Sequence, residues 1–490
     1  MPSKLQNYRL WSQIACFAIL LATTGCGPDG AFRSLFEDDD DGGGGGGGSF
    51  GPVEFQLPED GSALDRVTTF TASGPGVARV VFLIEDQAVL DDTEAPFEYE
   101  FDPTGLAEQN ATFGIKAYNG SQTESSSQSV DLRIRMFRPD LSEILDAVDN
   151  LEAGHWYTVP QTRIDDAFTP DAPGEFRGSI SNIVEGASGG AFDTKRNRLI
   201  VWGGGGGSWR NEIWGFDLAT MEWSRITAPS DWEVGCEGGN PCNRVAFPDG
   251  APFSRHSYDF IEYVPEPVDR LYLGGGVLHG SNGAANLITD QTAYLFDFDA
   301  GTWSTNPASV TEASLGAIAA IGEDGKVWQH GGGQGSGLLV VDLVAETTTE
   351  HVDFGPSLSL SYTADIDPTR NLFIAVGGGP TRIWDLDNPD DASTAPATTG
   401  ATEIESNSNP GVQYDPDHDC LVAWDGGGDI FTLDLDTWVW TRISPSGGTS
   451  PGAAVKRGTF GRFRYVPSKG IYIVYNQVNT NIYFYRLPTP

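Results

Sequence analysis

The sequence predicts an all-β chain in which a small β-sandwich precedes a circular array of six sheets. Three observations carry this reading. The first is a turn that recurs six times: Phe192-Asp193-Thr194, Tyr263-Val264-Pro265, Ile321-Gly322-Glu323, Ile366-Asp367-Pro368, Tyr414-Asp415-Pro416 and Tyr465-Val466-Pro467. The second is the segment after each turn. A short apolar strand runs into a glycine cluster at Gly203–Gly207, Gly274–Gly276, Gly331–Gly333, Gly377–Gly379 and Gly426–Gly428, and the sixth ends at Asn476. From the first turn residue to the first glycine is 11, 11, 10, 11 and 12 residues, and 11 to Asn476. The third is composition: 62 glycines and 11% aromatic residues among 490, without long amphipathic patterns, favour tight turns and strands over helices. A hairpin repeating every 45–70 residues or so describes an array of small sheets, and the unit reads as a β-propeller blade.

The N-terminal residues stand apart from this array. Lys4 and Arg9 precede an apolar core, Ile14 to Ala22, that is too short to span a bilayer. It ends at Thr23-Thr24-Gly25-Cys26. This resembles a bacterial lipoprotein signal, with Thr23 where that pattern usually has leucine. The resemblance implies acylation of Cys26 and, with Gly27 next, retention at the outer membrane. An ordinary secretory signal with an incidental cysteine is the other reading, and both export the chain. Residues 27–50 then form a linker, where Glu37 and four aspartates lead into seven glycines, Gly42 to Gly48. Such a run buries no apolar surface and serves as a tether.

Residues 51–138 alternate as strands: Val53–Leu57, Val67–Ala72, Val77–Ile84, Phe97–Asp102, Ala111–Tyr118 and Ser129–Phe137. Their length and number fit a sandwich. The stretches Val80-Val81-Phe82-Leu83-Ile84, Ala95 to Asp102 and Ile115 to Tyr118 resemble bacterial immunoglobulin-like domains, which implies a spacer. A short helix, Leu141–Leu151 with Asp140 as its cap, is expected within the 139–153 linker.

The array occupies residues 154–490. After the glycines of the first repeat come Ile213-Trp214-Gly215-Phe216-Asp217 and, six residues on, Trp223. The second repeat gives Tyr294 to Asp297 and Trp303, and the fifth Ile430 to Asp434 and Trp440. The third and fourth keep the glycines and the aspartate and lack the tryptophan. This resembles the kelch repeat, a four-stranded blade of the kind found in the central domain of galactose oxidase. The tryptophans are expected to pack between neighbouring blades. The sixth repeat lacks an outermost strand. His155-Trp156-Tyr157-Thr158-Val159 matches the outer strands around Trp223 and Trp440, so Trp156 is predicted to complete it and close the ring.

In a propeller the loops after each second strand and those leading into each first strand share one face. They carry Trp209, Arg210, His279, Asn282, His330, Gln334 and Asp425 from the first group, and Arg255, His256, Arg457 and Arg462 from the second. These are the ligand-binding candidates. Arg255-His256-Ser257 also resembles the Arg-His-Ser that opens an inner kelch strand, where it caps backbone. The loop at about 227–254 holds Cys236 and Cys242, whose spacing suits a local disulfide in an oxidising compartment. Asp415, Asp417 and Asp419 occupy the hairpin turn shared by all repeats and read as turn residues, not as metal ligands.

Function is less legible. A net charge of −39 repels phosphate backbones and excludes nucleic acid as a partner. No nucleophile motif, paired-carboxylate motif or phosphate loop appears, and no cofactor or metal is expected. Copper chemistry of the galactose-oxidase type is disfavoured, because that site needs two tyrosines, two histidines, a thioether cysteine and a C-terminal domain. Six-bladed kelch sugar isomerases of the bacterial periplasm are a closer architectural match. The expectation is a cell-envelope binding protein, anchored through Cys26, that presents a kelch propeller to a glycan or protein ligand. The alternative is a carbohydrate-active enzyme (isomerase, lyase or hydrolase) with its site at the channel mouth.

Overall fold

A computed structural model describes residues 52–489 except 104–105, 107–108, 122, 168–179, 204–209, 231–245, 279–287, 311–315, 332–336, 352–357 and 359–360. Eight sheets fill these residues. Two belong to the first unit. Glu54–Gln56, Thr68–Ser73 and Phe97–Phe101 form one; Ala63–Leu64, Val77–Ile84, Gln87–Asp92, Gln109–Asn119 and Glu124–Ile134 form the other. They share a core of Phe70, Phe82, Phe101, Phe113, Ile115 and Leu132. The strand Gln87–Asp92 is absent from the sequence reading because five of its six residues, all but Val89, are polar or largely solvent-facing. It forms because Glu85 and Asp86 both take positive φ (50° and 59°), the turn geometry whose twist matches a two-residue hairpin.

The other six sheets come in chain order, and we number them I to VI. Sheet I is Gly190–Asp193, Arg198–Trp202, Ile213–Asp217 and Glu222–Arg225; sheet II is Ile261–Val264, Arg270–Leu278, Ile288–Asp297 and Thr302–Ser309. Sheet III is Ile318–Ile321, Val327–His330, Leu338–Asp342 and Thr347–His351. Sheet IV has three strands, Thr363–Asp367, Leu372–Val376 and Arg382–Asp385. Sheet V is Gly411–Asp415, Cys420–Trp424, Ile430–Asp434 and Val439–Ile443, with Thr399–Gly400 added in parallel along Val439. Sheet VI is Phe463–Val466, Ile471–Val474, Ile482–Tyr485 and the distant Trp156–Val159, paired antiparallel with Tyr485 opposite Trp156.

Apart from Thr399–Gly400 in sheet V and Trp156–Val159 in sheet VI, the strands of each sheet follow one another as an antiparallel meander, and the first strands touch in the order I to VI, with VI touching I. The array is a β-propeller. Where sheet IV would take a fourth strand, Ile383 exchanges both backbone bonds with Thr394, and the chain then leaves for the edge of sheet V. No tryptophan follows Asp385 to hold that edge against its neighbour.

The outer tryptophans of sheets I, V and VI pack between sheets, whereas Trp303 of sheet II lies 5.3 Å from Phe296 of its own sheet. Trp223 of sheet I lies 4.8 Å from the Tyr475 ring that follows the second strand of sheet VI, and its indole N–H donates to Thr162 O at 2.8 Å. Trp156 lies tilted 4.8 Å from Tyr485 and edge-on 6.4 Å from Trp424 of sheet V, and donates to Gly428 O at 2.8 Å. Trp440 sits in a cluster with Ile374 and Val376 of sheet IV. The glycines after the second strands of sheets IV and V, and the one within the second strand of sheet II, where the strand runs on through the glycines to Leu278, repeat one conformation. Gly276, Gly377 and Gly426 have φ of 113°, 116° and 111°, and a Cβ on Gly377 would come within 2.4 Å of Ser361 O.

The helix Leu141–Asp149 is present. Asp140 stands at its N-cap with extended backbone but makes no side-chain capping bond, which corrects the expected role of that side chain. The helix is held by its apolar stripe, Ile144 and Val148, which joins the core of sheets VI and I. Arg138 donates to Pro160 O and Met221 O (2.6 and 3.0 Å), and Arg135 to Asp166 at 2.8 Å. Gln161 reaches back to Asp65 and Met136 O. These bonds join the first unit to the propeller.

Candidate binding site

The candidate residues fall into three groups. Trp209, His279, Asn282, Gln334, the lipidation candidate Cys26, and Cys236 and Cys242 lie outside the described residues.

A second group is engaged inside the fold. Arg255 is 1% exposed; its guanidinium bonds Asp290 at 2.6 Å, Gly275 O and Phe253 O at 2.9 Å, and lies over the Tyr294 ring. Arg462 is wholly buried and donates to the carbonyls of Ser188, Tyr475 and Asn476 at 2.9 Å and to Gly458 O. Burial without a carboxylate pulls its pKa down to about 10. Arg210 is bonded to Glu212 at 2.5 Å with both side chains buried. His330 ends the second strand of sheet III, buried, with its ring 5.1 Å from Trp384 of sheet IV. Asp425 is half-buried and accepts a bond from Asn407; burial raises its pKa. Arg255, Arg462, His330 and Asp425 tie loops or neighbouring sheets together, while Arg210 pairs within its own segment.

The third group stands at the mouth of the channel. His256 Nδ1 lies 3.1 Å from Tyr258 Oη, and Arg457 Nη1 lies 3.4 Å from His256 Nε2. A guanidinium only donates, so Nε2 is the acceptor and the proton of the neutral ring sits on Nδ1. Tyr258 packs edge-on to Phe460 at 5.9 Å, linking the loops that lead into sheets II and VI. Both have positive φ, 39° and 50°, and Ala187, at the same place three residues before sheet I, has 57°. Backbone held this way by non-glycine residues is strained and persists only where its surroundings over-determine it. Here Tyr258 N donates to Ala187 O at 2.9 Å, and burial raises the Tyr258 phenol to about 12.

Beside this cluster is a cavity of about 460 Å³ between the loop that leads into sheet VI and the short helix Asn182–Glu185. Arg457, Lys456, Asn182, Glu185 and Gln477 bring polar side chains to its wall. Its volume falls within the roughly 300–1,000 Å³ range of small-molecule sites. Among these, only Arg457 was a candidate from sequence. The signal available for Lys456 was its adjacency to Arg457 in a strongly acidic chain. Nothing local marks Asn182, Glu185 or Gln477, which arrive from two distant loops.

Below the mouth the channel is crossed by polar side chains from the first strands. Arg464 donates to Glu262 at 2.8 Å and to Gly190 O at 2.7 Å. Asp365 accepts from Gln413 Nε2 at 2.9 Å and Tyr414 N at 2.7 Å, and Asp259 from Ala364 N at 2.8 Å. Three carboxyls thus face one guanidinium. Burial raises all three pKa values, with Arg464 opposing, and Glu262 reaches about 7. On the opposite rim, Asp415 accepts from the amides of Asp417 and His418, while Asp419 is paired with Arg370. These are turn and inter-sheet contacts.

No protein-family model and no curated protein sequence matches the chain. Among solved structures it is similar to the Dos1 propeller, at 11% identity over 89% of this chain and 94% of that one, with a TM-score of 0.35. It is similar to a gluconolactonase from Xanthomonas campestris at 8% identity over 63% of this chain and 89% of that one, TM-score 0.39. A fibronectin(III)-like module of CbhA from Clostridium thermocellum aligns at 26% identity over 18% of this chain and all of that one, TM-score 0.16. The propeller assignment rests on the strand order and the ring of first strands.

Proposed function

We propose that this chain is a cell-envelope lipoprotein, anchored through Cys26, in which an immunoglobulin-like unit holds out a six-bladed kelch-type propeller that binds a glycan. The observation that carries this reading is the cavity beside His256, Tyr258 and Arg457 on the loop face, with polar walls and a small-molecule volume. Sugars are hydroxyl-rich, and a pocket walled by amides and charges pairs with hydroxyls better than one walled by hydrocarbon. Support against a catalytic role for the arginines is their engagement: Arg210, Arg255 and Arg462 are buried and bonded internally, so they are committed to the fold. The tether before residue 51 and the Arg135, Arg138 and Gln161 contacts fit a platform held off a surface.

The test is a glycan array probed with the full-length protein in detergent, followed by mass spectrometry of every bound glycan. Binding with glycans recovered unaltered is the expected result. Recovery of a cleaved or isomerised product would replace this reading with the carbohydrate-active enzyme. Binding to a protein ligand alone, with the array silent, would overturn the glycan assignment.

A further inference from the structure

The cavity beside Arg457 has a charge pattern that narrows its ligand, and the inference rests on the glycan-binding reading. Lys456 and Arg457 are adjacent, exposed, and both line the cavity. Among the described residues neither forms an ion pair with a carboxylate. That sets them apart from the other adjacent basic pair, Lys195-Arg196. There Lys195 bonds Glu266 and Asp269 (2.7 and 2.5 Å), and Arg196 bonds Asp269 and Asp299 (both 2.9 Å). In a chain with 68 acidic and 29 basic residues, two neighbouring cations without carboxylate partners are a distinctive surface. Arg457 is also oriented, because one of its nitrogens is spent on His256 Nε2 and the rest of its fork is free of carboxylates. Facing these cations across the cavity are Asn182 and Gln477, which both donate and accept, and Glu185, which when ionised only accepts.

We propose that this cavity binds a hydroxyl-bearing carboxylate of about one sugar's size, a hexuronate, either free or at the end of an acidic glycan. The carboxylate sits on Lys456 and Arg457 as a charge-assisted pair. Glu185 accepts from ligand hydroxyls, and the two amides bridge the remainder. A ligand with one anionic end and several hydroxyl donors matches both halves of the wall. A neutral sugar leaves the two cations unused, and a dianionic ligand meets Glu185.

The experiment is calorimetric titration of the full-length protein with galacturonate, with an acidic trimer (a galactose dimer bearing one terminal galacturonate), and with a neutral galactose trimer. Lys456→Gln and Arg457→Gln are compared with wild type and with Arg66→Gln, which removes an exposed charge in the first unit. We expect the acidic ligands to bind and the neutral trimer to bind at least tenfold more weakly. Each cavity variant should lose about tenfold in affinity, the scale of one charged hydrogen bond, and Arg66→Gln should lose nothing. Monomer and trimer binding equally assigns a free sugar acid; preference for the trimer assigns a glycan end. Equal binding of neutral and acidic trimers, or unchanged affinity in both cavity variants, would overturn the inference while leaving glycan binding intact. Acidic-ligand binding with release of an altered product would leave the cavity assignment standing and remove the non-catalytic reading. No binding of any sugar removes both.

Discussion

Glu262 shows how far the setting of a residue can depart from its sequence neighbourhood. It lies in a run, Ile261-Glu262-Tyr263-Val264, that reads as an ordinary strand, yet its carboxyl is buried against the channel and paired to Arg464. Burial raises its pKa from 4.5 to about 7, and the Arg464 charge only partly opposes this. A carboxyl with a raised folded-state pKa binds its proton more tightly in the folded state. Its contribution to stability is therefore complete below about pH 4.5 and is lost as the pH rises through about 7. The groups that face it are Asp259, Asp365 and Arg464, and the first two are shifted in the same direction. Urea midpoints should fall between pH 5 and 8. Glu262→Gln, which keeps an acceptor for Arg464 without a titrating proton, should flatten that slope; an unchanged slope would mean that other groups carry it.

At the scale of the strand, Trp156–Val159 makes the longest-range pairing in the array. It is over 320 residues away in sequence from its partner Ile482–Tyr485, so its pairing carries a large loop-closure cost that local propensity does not offset. What holds it is Trp156, 2% exposed, wedged against Tyr485 and Trp424 with its N–H satisfied by Gly428 O. Trp156→Ala should cost about 3–5 kcal/mol in chemical denaturation, the usual loss for a buried aromatic truncation. Trp156→Phe keeps most of the apolar volume but drops the bond to Gly428, and should cost less. Equal losses in the two variants would mean that the indole bond, not packing, dominates. Sheet IV has three strands. There the fourth position is not filled by a strand, and the chain adds Thr399–Gly400 to the edge of sheet V instead; sheet III also lacks the tryptophan but keeps its fourth strand, Thr347–His351, so the tryptophan alone does not decide whether that strand forms.

The whole molecule carries a net charge of −39, and this opposes compaction. Ion pairs at the hairpin rim, such as Arg196–Asp269 and Arg370–Asp419, offset it locally by joining sheet I to II and IV to V. An exposed pair contributes roughly 0–1 kcal/mol, and Arg196–Asp269, whose carboxylate is buried, is screened less than Arg370–Asp419. The expectation is that long-range repulsion over a charge of this size outweighs them. Screening should therefore help more than it harms. Raising NaCl from about 20 mM to about 0.5 M is expected to raise the thermal midpoint by a few degrees at pH 8; a fall would show that the rim pairs dominate.

The residues of the repeat made the propeller legible in the sequence. A strand–turn–strand ending at glycine can bury its apolar faces only by stacking against copies of itself, and the outer tryptophans fill the wedge between copies, so six repetitions of that pattern leave few alternatives. Gly377 and Gly426 could be read for the same reason, since only glycine takes that turn without strain. The site was legible at one residue, Arg457, and obscured at the others. Arg255 and Arg462 look like free cations in one dimension because most of the groups that absorb them, Asp290 and Gly275 O for the first and the carbonyls of Ser188, Tyr475 and Asn476 for the second, come from other segments. Lys456 joins Asn182 and Gln477 only when the ring brings the ends of the propeller together. Local pattern decides which strands form, because strand pairing within a hairpin is local. Which charged side chains are spent and which are left facing a cavity is decided by long-range contacts, and those exist only once the ring has closed.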